Sequence, residues 1–269
     1  MTALELGIVS DEIAPDFREA IRHGIAWGIT NYELRVLKSG RVPDVDPAEF
    51  EDVVQACREH ALTITALSPG VFKHSLSSKA ELERELREVL PATIAMARRC
   101  GARLIIVFGF QREKDEPPDR YAEAVAIMRR AAILALHDDL TLAIENEPGF
   151  WCDTGVNTSR LIRDVQSRFL RANWDPCNAF GTTEVPYPDG YEALKEFIVN
   201  VHAKDTLRGS LIQCVPVGDG VINWKGQIQA LVRDRIVKHV TIETHSLPLV
   251  EQSAKNVRVL RSLISEATG

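Results

Sequence analysis

The stretch Leu140–Pro148, LTLAIENEP, reads as a short apolar β-run that stops abruptly at Glu145, Asn146 and Glu147. Three later stretches repeat the pattern. They are Leu170–Asn178 (LRANWDPCN), Phe197–Asp205 (FIVNVHAKD) and Val237–His245 (VKHVTIETH), apolar runs that end in Asp175, His202 and Glu243. In parallel α/β proteins the carboxyl ends of the strands form the functional edge, so four such strands aim four ligand-type side chains at one point. That point is the expected active site.

Outward from this stretch, short apolar runs alternate with longer amphipathic ones along the whole chain, as repeated βα units require. Strands are expected at Leu4–Val9, Asn31–Arg35, Leu62–Leu67 and Arg103–Phe108 before the four already named. Helix starts are written locally. Asp46, Pro47 and Glu49 read as an N-cap, a first-turn proline and the far member of a capping box; Ser78 with Glu81 opens a long helix; Asn157 or Thr158 caps another. Eight strands and eight helices in strict alternation predict a single (β/α)₈ TIM barrel spanning 1–269, with an open doubly wound sheet as the alternative. No Gly-rich dinucleotide or phosphate-loop fingerprint follows any strand, which weakens that alternative.

The 269 residues carry a net charge of −6, and no Lys/Arg-dense stripe follows the chain, so nucleic acid is a poor partner. No run approaches the roughly 18 apolar residues of a membrane span, and no leader-like segment opens the chain; a soluble cytoplasmic protein is the default. Five scattered cysteines without a C-x-x-C pair fit reduced thiols. Cys177 reads as a packing residue.

The ligand-type residues are separated by 30, 27 and 41 positions, each close to one βα unit with its loop. Glu145, Asp175, His202 and Glu243 therefore fall on consecutive strands at one rim. Three carboxylates and an imidazole suit one divalent ion, Mn²⁺, Mg²⁺ or Co²⁺ first and Zn²⁺ next. Glu33 ends the second strand at the same rim and is a candidate substrate contact, or a partner of Arg35 or another charge. Lys204 and Asp205 follow His202 and can act behind the ligands or on substrate hydroxyls. Phe72, Phe110 and Trp151 are candidate pocket aromatics.

IEN at 144–146, DPCN at 175–178, HAKD at 202–205 and IETH at 242–245, with weaker YELR at 32–35 and GDGVINW at 218–224, resemble the xylose isomerase-like barrels. The resemblance covers nearly the whole chain. That superfamily holds sugar isomerases and epimerases and the type IV apurinic endonucleases. It implies a metal held by Glu145, Asp175, His202 and Glu243, with Glu145 and Glu243 also serving as acid and base on a small sugar or polyol, phosphorylated or not, through an enediolate. It also implies a substrate contact for Arg208, six residues after His202. Asn178 stands where the ketose 3-epimerases carry a histidine; it can still hydrogen-bond a hydroxyl but cannot exchange protons.

The same architecture serves dehydratases of inososes or dehydroshikimate, so a lyase is the alternative outcome. A phosphodiesterase like the apurinic endonucleases would want a histidine-rich cluster, and only seven histidines exist. A non-catalytic sugar-binding barrel is the remaining reading, and a homo-oligomer is compatible with any of them. For a phosphate group, Arg208 and the Gly218–Gly220 turn are the candidates. Glutamates on a solvent-facing rim predict that Gln replacements spare the fold.

Overall fold

Eight parallel strands close on themselves: Glu5–Val9, Asn31–Leu34, Thr63–Leu67, Leu104–Phe108, Thr141–Glu145, Leu170–Trp174, Ile198–Ala203 and His239–Ile242. The computed structural model describes residues 4–209 and 213–269. Each strand pairs with its neighbours in sequence, and the first closes on the eighth with Glu5 opposite His239 and Ile8 opposite Ile242. This is the (β/α)₈ barrel that the alternation predicts. The open sheet is excluded by that closing pair.

Side chains alternate along each strand, so one set faces the surrounding helices and the other fills the barrel. The outward set, with residues such as Tyr32, Ile144 and Val201, packs into the continuous apolar core under the helices. The inward set begins with a small cluster of Ala66, Ile106 and Ala143. Further inward positions are polar: Glu33, Asn173, Asn200, His202 and Thr241 are all buried and joined by hydrogen bonds. Ala143 and Glu145 share a face of the fifth strand, which is how an apolar run can end in an inward carboxylate. Among the described residues no helix is long and apolar enough to cross a membrane.

Several local expectations change. Asp46 caps Pro47–His60 by accepting from the Ala48 amide at 2.7 Å. Glu49 closes no capping box; its carboxylate accepts from the Lys38 and Ser39 amides at 3.0 and 2.9 Å. It thereby pins a two-stranded hairpin, Val36–Leu37 with Gly40–Arg41, that the sequence does not announce. The helix expected at Asn157 or Thr158 starts at Gly155, capped by Thr154, whose hydroxyl accepts from the Asn157 amide. Only glycine fits there, because a Cβ on Gly155 would meet the Gly190 carbonyl oxygen at 2.2 Å. Ser78 makes no side-chain cap bond, and the long helix after it runs as Lys79–Arg84, a wide π-turn at Glu85–Val89, and Leu90–Cys100. At the start of that turn the Glu85 carboxylate accepts from the Phe72 amide at 3.0 Å.

His239 begins the eighth strand at the foot of the barrel. Burial lowers its pKa to about 4 from 6.5, and its Nε2 makes no hydrogen bond. The unfolded chain binds this proton below about 6.5 while the fold resists it to about 4, so the associated stability is present above 6.5 and is lost as pH falls. In urea titrations, the stability advantage of wild type over His239→Gln should shrink by on the order of 2 kcal/mol across that window. A difference that stays constant with pH would contradict the assignment.

Candidate metal centre at the barrel mouth

Four consecutive strands deliver the four ligand-type residues to one place. Glu145 is the last residue of the fifth strand and His202 lies one residue before the end of the seventh, while Asp175 and Glu243 directly follow the sixth and eighth. Each offers one ligand atom, and these atoms all lie within 4.8 Å of one another. All four residues are buried. The carboxylates are buried at the floor of a cavity, where the sequence reading has a solvent-facing rim.

Local chemistry fixes each carboxylate. Asp175 caps the short helix Pro176–Phe180 through the Asn178 amide, leaving its other oxygen free to face the cluster. Asn146 grips the Asp175 backbone from both sides, accepting from its N–H and donating to its C=O, each at 2.8 Å. Glu145 accepts from Asn173 and from Asn178, each at 3.2 Å. Asn178 lines the cavity, yet its amide N–H groups are spent on Glu145 and the Asn146 carbonyl; only its oxygen is available to a ligand.

Positive charge offsets the buried carboxylates. Lys204 places its ammonium 2.7 Å from Glu243 and 2.8 Å from Asp175. Arg35 donates to the other Glu243 oxygen at 2.8 Å and binds Asp11 and Glu12 as well. Burial would raise the Glu243 pKa, but Lys204, His245 and His202 outweigh it and hold the group well below the usual carboxylate range. In Glu145 burial is likewise overcome, chiefly by His202. In Asp175 burial wins over Lys204 and the pKa rises. Glu12, Glu243 and His245 form a second cluster of ligand-type atoms, but Arg35 already bridges its two carboxylates.

Glu33 sits beneath this layer. It is fully buried, with Oε2 3.0 Å from His202 Nε2, and it does not line the cavity, so it reaches the imidazole and not a substrate. The alternation explains the difference: Glu33 and Arg35 share a face of the second strand, and Arg35, one step higher, takes the rim position. The ring's other nitrogen, Nδ1, lies 3.5 Å from Glu145 and 3.6 Å from Glu243. Burial lowers the His202 pKa, but Glu33, Glu145 and Glu243 lift it well above the usual histidine range. A carboxylate holding one imidazole nitrogen while the other faces a ligand cluster is the arrangement that orients metal-binding histidines.

Above the cluster opens a cavity of about 330 Å³, lined by Glu145, Glu243 and Lys204 and by Arg35, Arg41 and Lys73 among others. Arg208 is exposed on the connection after the seventh strand and is not among the lining residues; residues 210–212 of that connection lie outside the described residues. Asp205 is buried and accepts from the Thr206, Gly218 and Ile222 amides, so it holds the 218–224 loop together. A Cβ on Gly220 would meet this carboxylate at 2.1 Å, so the turn packs directly on Asp205. Phe72 and Phe110 pack on each other in the core, and Trp151 is stacked under Arg112; Phe108 is the aromatic that reaches the cavity. Sequence reasoning missed Arg41 and Lys73 as wall residues. Arg35 was legible only through its spacing from Glu33.

A sequence model described as the xylose isomerase-like TIM barrel matches residues 22–263. No curated protein matches the chain in sequence. Among solved structures, an L-ribulose 3-epimerase superposes with a TM-score of 0.79 at 18% identity, covering 100% of this chain and 96% of its own. A probable 3-DHS dehydratase involved in petrobactin synthesis, from Bacillus anthracis, gives 0.79 at 19% identity, with 97% and 99% covered. A xylose isomerase-like barrel protein from Mycobacterium smegmatis, solved in complex with magnesium, gives 0.75 at 15% identity, with 100% and 98% covered. At such identities these likenesses speak to fold. With the family model spanning nearly the whole barrel, the chain belongs to the xylose isomerase-like TIM barrel family.

Proposed function

We propose that this protein is a cytoplasmic, divalent-metal-dependent isomerase or epimerase of a small sugar or polyol. The observation that carries the reading is the convergence of Glu145, Asp175, His202 and Glu243, whose ligand atoms lie within 4.8 Å of one another under a cavity that Glu145 and Glu243 also line. The donor set fits one hard or borderline ion, Mn²⁺, Mg²⁺ or Co²⁺ foremost and Zn²⁺ as well. The Glu33–His202 contact supports it, because it leaves Nδ1 as the ligand atom. Two of the four residues already hold a cation, the Lys204 ammonium. A divalent ion held by these four side chains supplies Lewis acidity toward a carbonyl and the neighbouring hydroxyl.

The chain's own groups supply the proton chemistry. Glu145 and Glu243 both have lowered pKa values, so both are ionised at neutral pH, the state a base needs. They come from strands three positions apart around the barrel and reach the cavity from separate sides. One removes the proton beside the substrate carbonyl, giving an enediolate. The other, once it has taken up a proton from solvent, returns it on the opposite face of the same carbon, which epimerises the sugar; return of the first proton to the adjacent carbon isomerises it. Lys204, at 2.7 Å from Glu243, is placed to follow the charge on that carboxylate as the proton moves.

Glu145→Gln should slow exchange of the substrate α-proton with solvent deuterium by about 10²–10⁴-fold, read by NMR across ketopentoses, ketohexoses and inososes. Undiminished exchange would remove Glu145 from the reaction, and a new ultraviolet enone band in place of exchange would assign dehydration. Glu243→Gln should also cost roughly 2 kcal/mol of stability, since Arg35 and Lys204 lose a charged partner. An unchanged urea midpoint would contradict that.

Binding of Mn²⁺ should release protons. The carboxylates around His202 favour its protonated form in the metal-free protein, and a metal ligand must be neutral. Calorimetric titration in buffers of different ionisation enthalpy should give release of about one proton per ion at pH 7 and tighter binding as pH rises. Binding that is independent of both would contradict the role of His202.

A further inference from the structure

Among the described residues, the cavity wall carries one cation that its own carboxylates leave unpaired. Arg35 binds Asp11, Glu12 and Glu243; Lys204 binds Asp175 and Glu243; Lys73 pairs with Glu147 at 3.1 Å and lies over the Phe108 ring; His245 faces Glu12 and Glu243. Arg41 has no ion-pair partner among the described residues. Its only hydrogen bond there is from Nη1 to the Ser68 carbonyl at 3.1 Å, and its guanidinium lies beside Gly70 in the turn that follows the third strand. Desolvation and the nearby Arg35 both disfavour its charge, with Asp11 and Glu243 attracting it from further off. A guanidinium stays charged regardless, and its open donors, exposed at the cavity wall, match the oxygens of an oxyanion entering the cavity.

Its position is built. Arg41 rides on the hairpin that folds back directly after Arg35, with Arg41 opposite Val36 and with Glu49 holding the Lys38 and Ser39 amides of the hairpin tip. A Cβ at Gly40 would meet the Asp44 carbonyl oxygen at 2.4 Å, so the fold keeps a glycine beside it. In the ring of strands, the second and third stand across from the sixth and seventh. Arg41 itself follows the second strand, two places from the eighth and three from the fifth, and lines the same cavity as Glu145 and Glu243.

We infer that the substrate carries a carboxylate or phosphoryl group, and that Arg41 is the residue that recognises it. Barrels commonly seat phosphate in the loops after strands seven and eight. Here the cation stands on the hairpin after the second strand, and the inference rests on the reading of this cavity as the site of proton transfer by Glu145 and Glu243.

The test is calorimetric binding to the Mn²⁺-loaded protein of two matched pairs, D-ribulose against D-ribulose 5-phosphate and D-tagatose against D-tagaturonate. One anionic member should bind at least about 10-fold more tightly than its neutral counterpart. Which pair shows the preference distinguishes phosphoryl from carboxylate. Arg41→Met, an exchange on an exposed side chain, should bring the pair to within about 2-fold while leaving metal content and melting temperature unchanged, and Arg41→Lys should keep part of the preference. No preference in either pair, no binding by any of the four, or a preference that survives Arg41→Met would overturn the inference. Failed proton exchange alongside an Arg41-dependent preference would instead strike the proposed reaction.

Discussion

Three carboxylates cannot be buried side by side unless positive charge is buried with them. Removing ionised groups from water costs several kcal/mol each, and the repulsion among them adds to it. Glu145, Asp175 and Glu243 meet that constraint through a protonated His202, Lys204 and Arg35. Much of the surrounding structure serves this balance. Asn146 locks the Asp175 backbone, Asn173 and Asn178 hold Glu145, and Glu33 holds the imidazole from below. A folded chain with so much charge confined at one spot has a ready place for a divalent cation, which can take over the neutralising task of the His202 proton and the lysine ammonium together.

The balance also explains which polar residues face the cavity. Asp11, Glu12 and Glu243 satisfy the whole Arg35 fork, and Asp205 is drawn away to stitch the loop of Gly218–Ile222. Among the groups that line the cavity, the oxygen of Asn178 and the guanidinium of Arg41 are open to a ligand, beside the carboxylates themselves. The proposed recognition would then fall to the hairpin after the second strand, and the proposed chemistry to the fifth to eighth strands. Barrels divide labour this way because the strand ends are rigid and the loops can vary without disturbing them.

The barrel was legible in the sequence because each strand is a short apolar run ended by polar residues, and the second helix begins with a recognisable cap, Asp46. The four convergent residues were legible for the same reason: strand ends are visible, and in a parallel barrel they share one edge. Depth was not legible. Glu33 and Arg35 lie two residues apart on one strand, and nothing in the letters says that the first is sealed under His202 while the second reaches the rim. Nor did the letters VLKSGR announce a hairpin, since its turn is held by a distant Glu49 instead of a local Asn-Gly pair. Arg41 was therefore missed, and Arg208, chosen on spacing, lies exposed outside the cavity lining.

The central claim is that Glu145, Asp175, His202 and Glu243 hold one divalent ion. Metal content by mass spectrometry, on wild type and on His202→Ala after dialysis against Mn²⁺, Mg²⁺, Co²⁺ and Zn²⁺, tests it most directly. The account predicts about one ion per wild-type chain and its loss from the variant. Absence of a bound ion from the wild type, or equal retention by the variant, would contradict it.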